Sequence, residues 1–257
     1  MPEPLDAALD RLAGAERLLV ALDFDGVLAP IVDVPSAARP LPASARAIAG
    51  LAGLAGTTVA LVSGRGLADL RAVSGFGPPA VLVGSHGGEF SDAEDGFLDE
   101  AQRRRREDLI AELEKLVDGE PGVALERKPA GAAVHVRNAE PAVAERVLAA
   151  VRSGPAAAPG IDPTEGKAVI DLAVVEVSKG AAIDVLRERT RAEVVLFAGD
   201  DVTDETAFAR LHPGDVGIKV GEGPTAASHR VADPAAMSEV LTRLLDARRD
   251  AAGRAEA

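Results

Sequence analysis

"LLVALDFDGVLAP", residues Leu18 to Pro30, drives an unbroken aliphatic run into two aspartates separated by one residue. A short apolar run closed by a polar turn and a glycine reads as a strand buried on both faces, the kind found in parallel sheets. Four further runs repeat the pattern: "TTVALVSG" from Thr57, "PAVLVGSHGG" from Pro79, "EVVLFAGDD" from Glu193 and "VGIKVG" from Val216. Helical periods lie between them, so the expected fold is α/β, a Rossmann-like parallel sheet with helices on both faces. In such sheets the ligand crevice lies outside the carboxyl ends of the strands. All five runs place their polar residues at that end.

The middle of the chain reads differently. Residues 91–176 carry a charged helix around "EAQRRRREDLIAELEKLVD", two extended runs "VALERK" and "GAAVHVRN" joined by a turn at "PAG", and a helix in "EPAVAERVLAAVRS". Two more strands follow, around "AAPGIDP" and "KAVIDLAVVEV". Helix, hairpin, helix, hairpin predicts a small α+β unit at 91–176, inserted into a core formed by 1–90 and 177–257. The arginine run reads as a solvated helix face balanced by nearby acids.

Composition narrows the function. A net charge of −13 argues against a nucleic-acid partner, which rewards clustered Lys and Arg, and 2% aromatics leave few platforms for stacking bases. Without cysteine there is no disulfide, thiolate nucleophile or Cys-based metal site. The acidic N-terminus does not resemble a secretory signal. The charge-free stretch from Ala47 to Gly64 approaches a membrane span in length, but its period changes midway; it reads as a helix end, a turn at Gly56 and a buried strand. The expectation is a cytoplasmic protein with no membrane partner, monomeric rather than oligomeric.

Asp23 and Asp25 carry the chemistry. In an extended segment residues two apart point to the same side, so both carboxylates are expected to face one space. Like charges that close repel unless a cation sits nearby. A polar loop after a strand would explain an isolated Asp-x-Asp equally well. The second cluster, Asp200, Asp201, Asp204 and Glu205 after "LFAG", changes the balance, because two neighbouring parallel strands would bring both clusters to one rim. Helix capping by Asp201 or Thr203 accounts for part of the second cluster but not for the first. Converging carboxylates with oxygen-only donors suit a hard divalent cation such as Mg²⁺. Ser63 in "VSGR" and Lys179 in "VSKG" add a hydroxyl donor and a point charge, in a chain with five lysines.

With "DFDGV", "SGR", "SKG" and "GDDVTDE" in this order, the chain resembles the haloacid dehalogenase superfamily of phosphohydrolases. The resemblance implies Asp23 as nucleophile, Asp25 as general acid and then base, and Mg²⁺ bound by Asp23, Asp200 and the main-chain carbonyl of Asp25. It implies Asp201 and Asp204 as support for the metal, with Ser63 and Lys179 on the phosphoryl oxygens. Val27 departs from the Thr of many relatives. The insertion between Ser63 and Lys179 resembles the α/β-capped branch. Within that branch "GSHGGEF", "ERK", "VHVR" and "VVEVSKG" are similar to the trehalose-6-phosphate phosphatase family.

That likeness implies a hydrolase of trehalose biosynthesis acting on the small molecule trehalose 6-phosphate. Glu126, Lys128, Arg137 and Glu176 would bind sugar hydroxyls, with Gly64, Arg65, His86 and Gly87 nearer the core. Glu126 and Lys128 also fit an ordinary solvated strand face, Arg137 an edge-strand charge, and His86 a core-edge histidine bonded to backbone. The glycine-rich "GEGPTAASHRV" reads as a strand-to-helix connection rather than a phosphate loop. A lid closing over the substrate is expected to hinge near Phe90–Asp95 and Val177–Ser178. Competing readings are a phosphatase for sucrose phosphate or mannosylphosphoglycerate, and an inactive sugar-phosphate-sensing module.

Overall fold

The computed structural model describes residues 3–92 and 98–255. The chain divides into two compact units, residues 1–92 with 178–257 and residues 93–177.

The first unit opens with α1 (Leu5–Ala13), β1 (Leu18–Leu22), α2 (Pro42–Ala52), β2 (Thr57–Val62), α3 (Leu67–Ser74), β3 (Val81–Gly84) and β4 (Glu89–Phe90). The second holds α4 (Glu100–Val117), β5 (Ala124–Lys128), β6 (Gly131–His135), α5 (Pro141–Ser153), β7 (Asp162–Gly166) and β8 (Val169–Ala173). The first unit resumes with α6 (Lys179–Thr190), β9 (Val194–Gly199), α7 (Glu205–Phe208), β10 (Val216–Val220), β11 (His229–Val231) and α8 (Pro234–Ala255).

The larger sheet runs β11-β10-β9-β1-β2-β3-β4, parallel except for the last pair. All five residues of β1 are buried, as an apolar strand covered on both faces requires. Leu18, Val20 and Leu22 enter a cluster with Leu9 and Leu12 of α1, Ile48 and Leu51 of α2, Leu70 of α3 and Leu241 and Leu244 of α8. The alternate residues of the sheet face α6 and α7, where Phe197 meets Phe208 edge-on at 5.3 Å. From β1 the chain first builds outward through β2 and β3, then returns to place β9 on the other side of β1. The gap between β1 and β9 is therefore the topological switch point, where strand order reverses and a crevice opens.

Two short strands escaped the sequence reading. Two-residue β4 pairs antiparallel with β3, and "HRV" within the expected connection forms β11, parallel to β10. Both depend on a neighbouring edge rather than on their own pattern. The stretch 47–64 divides between α2 and β2 as expected, and among the described residues no helix is long and apolar enough to cross a membrane.

In the second unit the sheet runs β5-β6-β8-β7, all antiparallel. Its first helix begins with a reciprocal cap: Asp99 Oδ1 accepts from the Gln102 amide and Gln102 Oε1 from the Asp99 amide, both at 2.8 Å. One sheet face packs Val134, Ile170 and Leu172 against Leu109 and Leu113 of α4 and Val147 and Val151 of α5. The last hairpin sits later than "AAPGIDP" suggests, beginning at Asp162 and ending at Ala173, so "VVEV" lies off the sheet. Of the expected hinges, residues 93–95 lie outside the described residues.

Candidate active site

Register decides the site. Leu22 on β1 pairs with Ala198 on β9, and the Asp23 amide donates to the Ala198 carbonyl at 2.9 Å. Asp23 and Asp200 therefore leave adjacent strands at the same level of the switch point. Asp23, Asp200 and Asp204 each bring a carboxylate oxygen within 4.8 Å of the others. The two acidic stretches do meet at one rim.

Within this trio the roles differ. Asp204, fully buried, has both oxygens engaged: Oδ1 accepts from Lys179 Nζ at 2.7 Å, and Oδ2 from the amides of Asp200 and Asp201 at 2.9 Å each. It braces the turn rather than offering a free ligand oxygen. Asp201 is exposed and stands at the N-cap of the 3-10 turn Val202–Asp204. Asp23, 5% exposed, accepts from the Phe24 amide at 2.7 Å on Oδ1 and faces Lys179 Nζ at 2.9 Å on Oδ2. Lys179 reaches both acids because it opens α6, whose start is fixed by Ser178 Oγ accepting from the Ala181 amide at 3.0 Å.

One lysine does not balance the charge. Burial pushes the Asp23 carboxyl up to about 7, against the pull of Lys179 and with the Asp204 charge adding to the rise. Burial, followed by the Asp204 charge, lifts Asp200 to about 6. For Lys179, burial works to lower the pKa, but the two carboxylates outweigh it and the net shift is upward. Carboxyls held this high without a cation are the arrangement that a hard divalent ion relieves, and the donors are all oxygen. The residues present fit Mg²⁺.

Gly26 sets the spacing between the two strands. It adopts φ +73°, and a Cβ there would stand 2.9 Å from Asp200 Oδ1 and closer still to Cγ and Oδ2. Only a residue without a side chain lets the Asp200 carboxylate lie against the loop after β1.

Asp25 departs from expectation. Strand β1 stops at Leu22, so the alternation that would aim Asp25 beside Asp23 ends before it applies. Its carboxylate is instead gripped by Arg65, with Nε to Oδ2 at 2.6 Å and Nη2 to Oδ1 at 2.8 Å. The same guanidinium donates to Asp69 Oδ2 at 2.8 Å and the Pro35 carbonyl at 2.9 Å. Arg65 thus serves Asp25 and the loop after β1, a role that "SGR" alone did not disclose.

Ser63 is buried at the end of β2, its amide donating to the Val83 carbonyl at 2.9 Å and its carbonyl accepting from the His86 amide at 3.0 Å. Gly64 lies under the His86 ring, where a Cβ would come within 2.5 Å of Cε1. Burial, then the Lys179 charge, lowers the His86 pKa. Gly87 approaches the start of α6 closely, where a Cβ would stand 2.7 Å from the Ser178 carbonyl.

Four residues on one face of the smaller sheet form two pairs. Glu126 Oε2 meets His135 Nε2 at 2.8 Å, and Lys128 pairs with Asp171 across β6. This face is opposite the one packed on α4 and α5, because Leu125, Val134 and Ile170 alternate with these residues. Asp171 and His135 were not singled out in the sequence; their signal was strand alternation in register with "ERK". Arg137 is exposed beyond β6, and Glu176 is exposed in the connection after β8, off the sheet that carries Glu126 and Lys128.

The trehalose-phosphatase family profile matches residues 21–238. The chain is 36% identical over 262 residues to a trehalose-phosphate phosphatase of Mycobacterium ulcerans, covering 95% of this chain and 66% of that protein. It is 32% identical over 250 residues to a bifunctional trehalose-6-phosphate synthase/phosphatase of Thermoproteus tenax, covering 93% of this chain and 33% of that protein. The chain thus spans a third of one relative and just under two thirds of the other. Among solved structures it resembles the trehalose-6-phosphate phosphatase of Aspergillus fumigatus, with TM-score 0.69, 25% identity and coverage of 95% and 98% of the two chains.

Proposed function

Because the chain belongs to the trehalose-phosphatase family, we propose that it is a Mg²⁺-dependent phosphatase releasing trehalose and phosphate from trehalose 6-phosphate. The observation that carries this reading is the buried Asp23 carboxylate, held by Lys179 and set beside Asp200 at the switch point. Asp23, Asp200 and the Asp25 carbonyl are the residues that would hold Mg²⁺. The ion would supply the positive charge that lets an anionic carboxylate approach an anionic phosphate.

Asp23 attacks phosphorus and forms an aspartyl-phosphate while the sugar oxygen leaves with a proton from Asp25, whose carboxyl must first exchange its Arg65 pairing for the substrate. Water, giving its proton to Asp25, then hydrolyses that acyl phosphate and regenerates Asp23. Splitting one displacement into two avoids direct attack by water on the phosphomonoester. Ser63 and Lys179 orient the phosphoryl oxygens. In this reading the unit 93–177 is a specificity cap whose Glu126, Lys128, Arg137 and Asp171 grip sugar hydroxyls through charge-assisted hydrogen bonds; Glu176 is a further candidate. A cytoplasmic role in trehalose synthesis accords with a chain lacking cysteine.

A phosphate-release panel across trehalose 6-phosphate, sucrose phosphate and mannosylphosphoglycerate, with and without Mg²⁺, tests the assignment. Selective, Mg²⁺-dependent release from the first is expected. Release from another sugar phosphate alone would overturn the substrate, and no release from any would favour a sensing module.

A further inference from the structure

We propose that Lys219 is a positioning residue for the metal ligand Asp200, its ammonium holding the main chain of that residue so that the carboxylate faces Asp23. The inference rests on the reading of Asp200 as a Mg²⁺ ligand and deepens it.

Lys219 lies on β10, between β9 and β11, and is 4% exposed. A lone lysine in "VGIKV", a strand whose five residues are all buried, is costly unless its charge is partnered. Its backbone pairs with Gly199 on β9, which brings the side chain to the turn that follows. There Nζ donates to the Asp200 carbonyl at 2.6 Å and stands 3.9 Å from Glu205 Oε1.

Glu205 is itself tied down. Oε2 accepts from the Ala226 amide at 2.8 Å, while Oε1 is buried and has no hydrogen bond. The ammonium of Lys219 is the charge that this oxygen faces. A brace thus runs from the segment before β11, through Glu205 and Lys219, to Asp200.

Its consequence appears in the backbone of Asp200. Asp204 accepts from the amide of that residue and Lys219 donates to its carbonyl, so both main-chain polar groups are pinned. With Gly26 against the carboxylate, little besides side-chain rotation remains free. A methionine would fill the same apolar slot in β10, so packing alone does not require a charge here. Partners behind a metal ligand orient it and tune affinity, and their loss commonly weakens binding without touching the ion.

The test is Mg²⁺ titration of the substrate-free protein by calorimetry, for wild type, Lys219→Met, Lys219→Arg and Glu205→Gln, alongside thermal melts without metal. Lys219→Met should weaken Mg²⁺ binding about 10- to 100-fold, with the KM for trehalose 6-phosphate at saturating Mg²⁺ unchanged. Lys219→Arg, which keeps a donor for the carbonyl, should recover most of the affinity, and Glu205→Gln should lose several-fold. Wild-type affinity in Lys219→Met would overturn the inference and leave the metal site standing. If Lys219→Met does not fold, unchanged affinity in Glu205→Gln overturns it instead. A wild-type protein that binds no Mg²⁺ would remove the metal-site reading, and this inference with it.

Discussion

Gly26→Ala should separate the Asp23 and Asp200 carboxylates from each other while both residues stay in place. Two costs fall on the added methyl. The φ of +73° places an L-residue in the left-handed region, a penalty of roughly 1–2 kcal/mol. The methyl also lands within the Asp200 carboxylate, so Oδ2 must withdraw by about 1.5 Å to stand at an ordinary van der Waals distance. Misplacing a reacting group by about 1 Å can cost 10²-fold in rate, so kcat/KM should fall by about that factor or more. The backbone penalty should lower the melting temperature by roughly 2–8 °C, which leaves the variant folded at 20 °C. Phosphate release at 20 °C, with circular dichroism confirming the fold, reads the two effects separately. If the displacement acts through Asp200, Gly26→Ala should add little further loss in an Asp200→Asn background. Full activity in the single variant, or full additivity in the double, would refute the geometry.

Four other outcomes follow, three from the same site and one from the smaller sheet. Since burial raises Asp23 to about 7 and Asp200 to about 6, Mg²⁺ must displace protons below those values. Apparent affinity should therefore rise from pH 5 to 7.5 by about tenfold per pH unit for each proton displaced and then level off; calorimetry showing a flat profile would contradict this. Both folded-state pKa values lie above the unfolded ones, so the stability linked to their protonation is present at low pH. The metal-free protein should lose that stability as pH rises from about 4 through 7, measured by thermal melts. Lys179→Met strands Asp23 and Asp204 without a counter-ion, which should cost about 3–5 kcal/mol at neutral pH and less at pH 5, where Asp23 is protonated. Glu126→Ala, Arg137→Ala and Asp171→Ala should abolish turnover of trehalose 6-phosphate yet spare a small generic phosphate ester. Equal loss on both substrates would remove the cap residues from sugar recognition.

The parallel sheet was legible because strands buried on both faces are written as apolar runs, as in β1, β2, β3 and β9, and in β10 apart from Lys219. Their carboxyl ends carried the polar residues, so the meeting of Asp23 with Asp200 was legible once the strands were taken as neighbours. What could not be read is where regular geometry stops. Asp25 was expected to face the same space as Asp23, but the strand ends at Leu22 and Arg65 pulls its carboxylate aside. Pairings made across the fold were equally silent: Lys219 reads as an interruption of an apolar strand until Asp200 and Glu205 are set against it. Asp171 was hidden in the alternation of β8, whereas Glu176 was legible only through the family likeness of "VVEVSKG". Only the register of β8 against β6 and β5 shows that Asp171 shares a face with Lys128.

The most direct test is to mix the protein with trehalose 6-phosphate and Mg²⁺, quench within the first turnover, and reduce with borohydride. An acyl phosphate at residue 23 would be reduced to homoserine, and peptide mass spectrometry should find that change in the segment Leu18–Pro30, at Asp23 and nowhere else. A chain that turns over the substrate with Asp23 unmodified, or with the change at another carboxylate, would contradict the account.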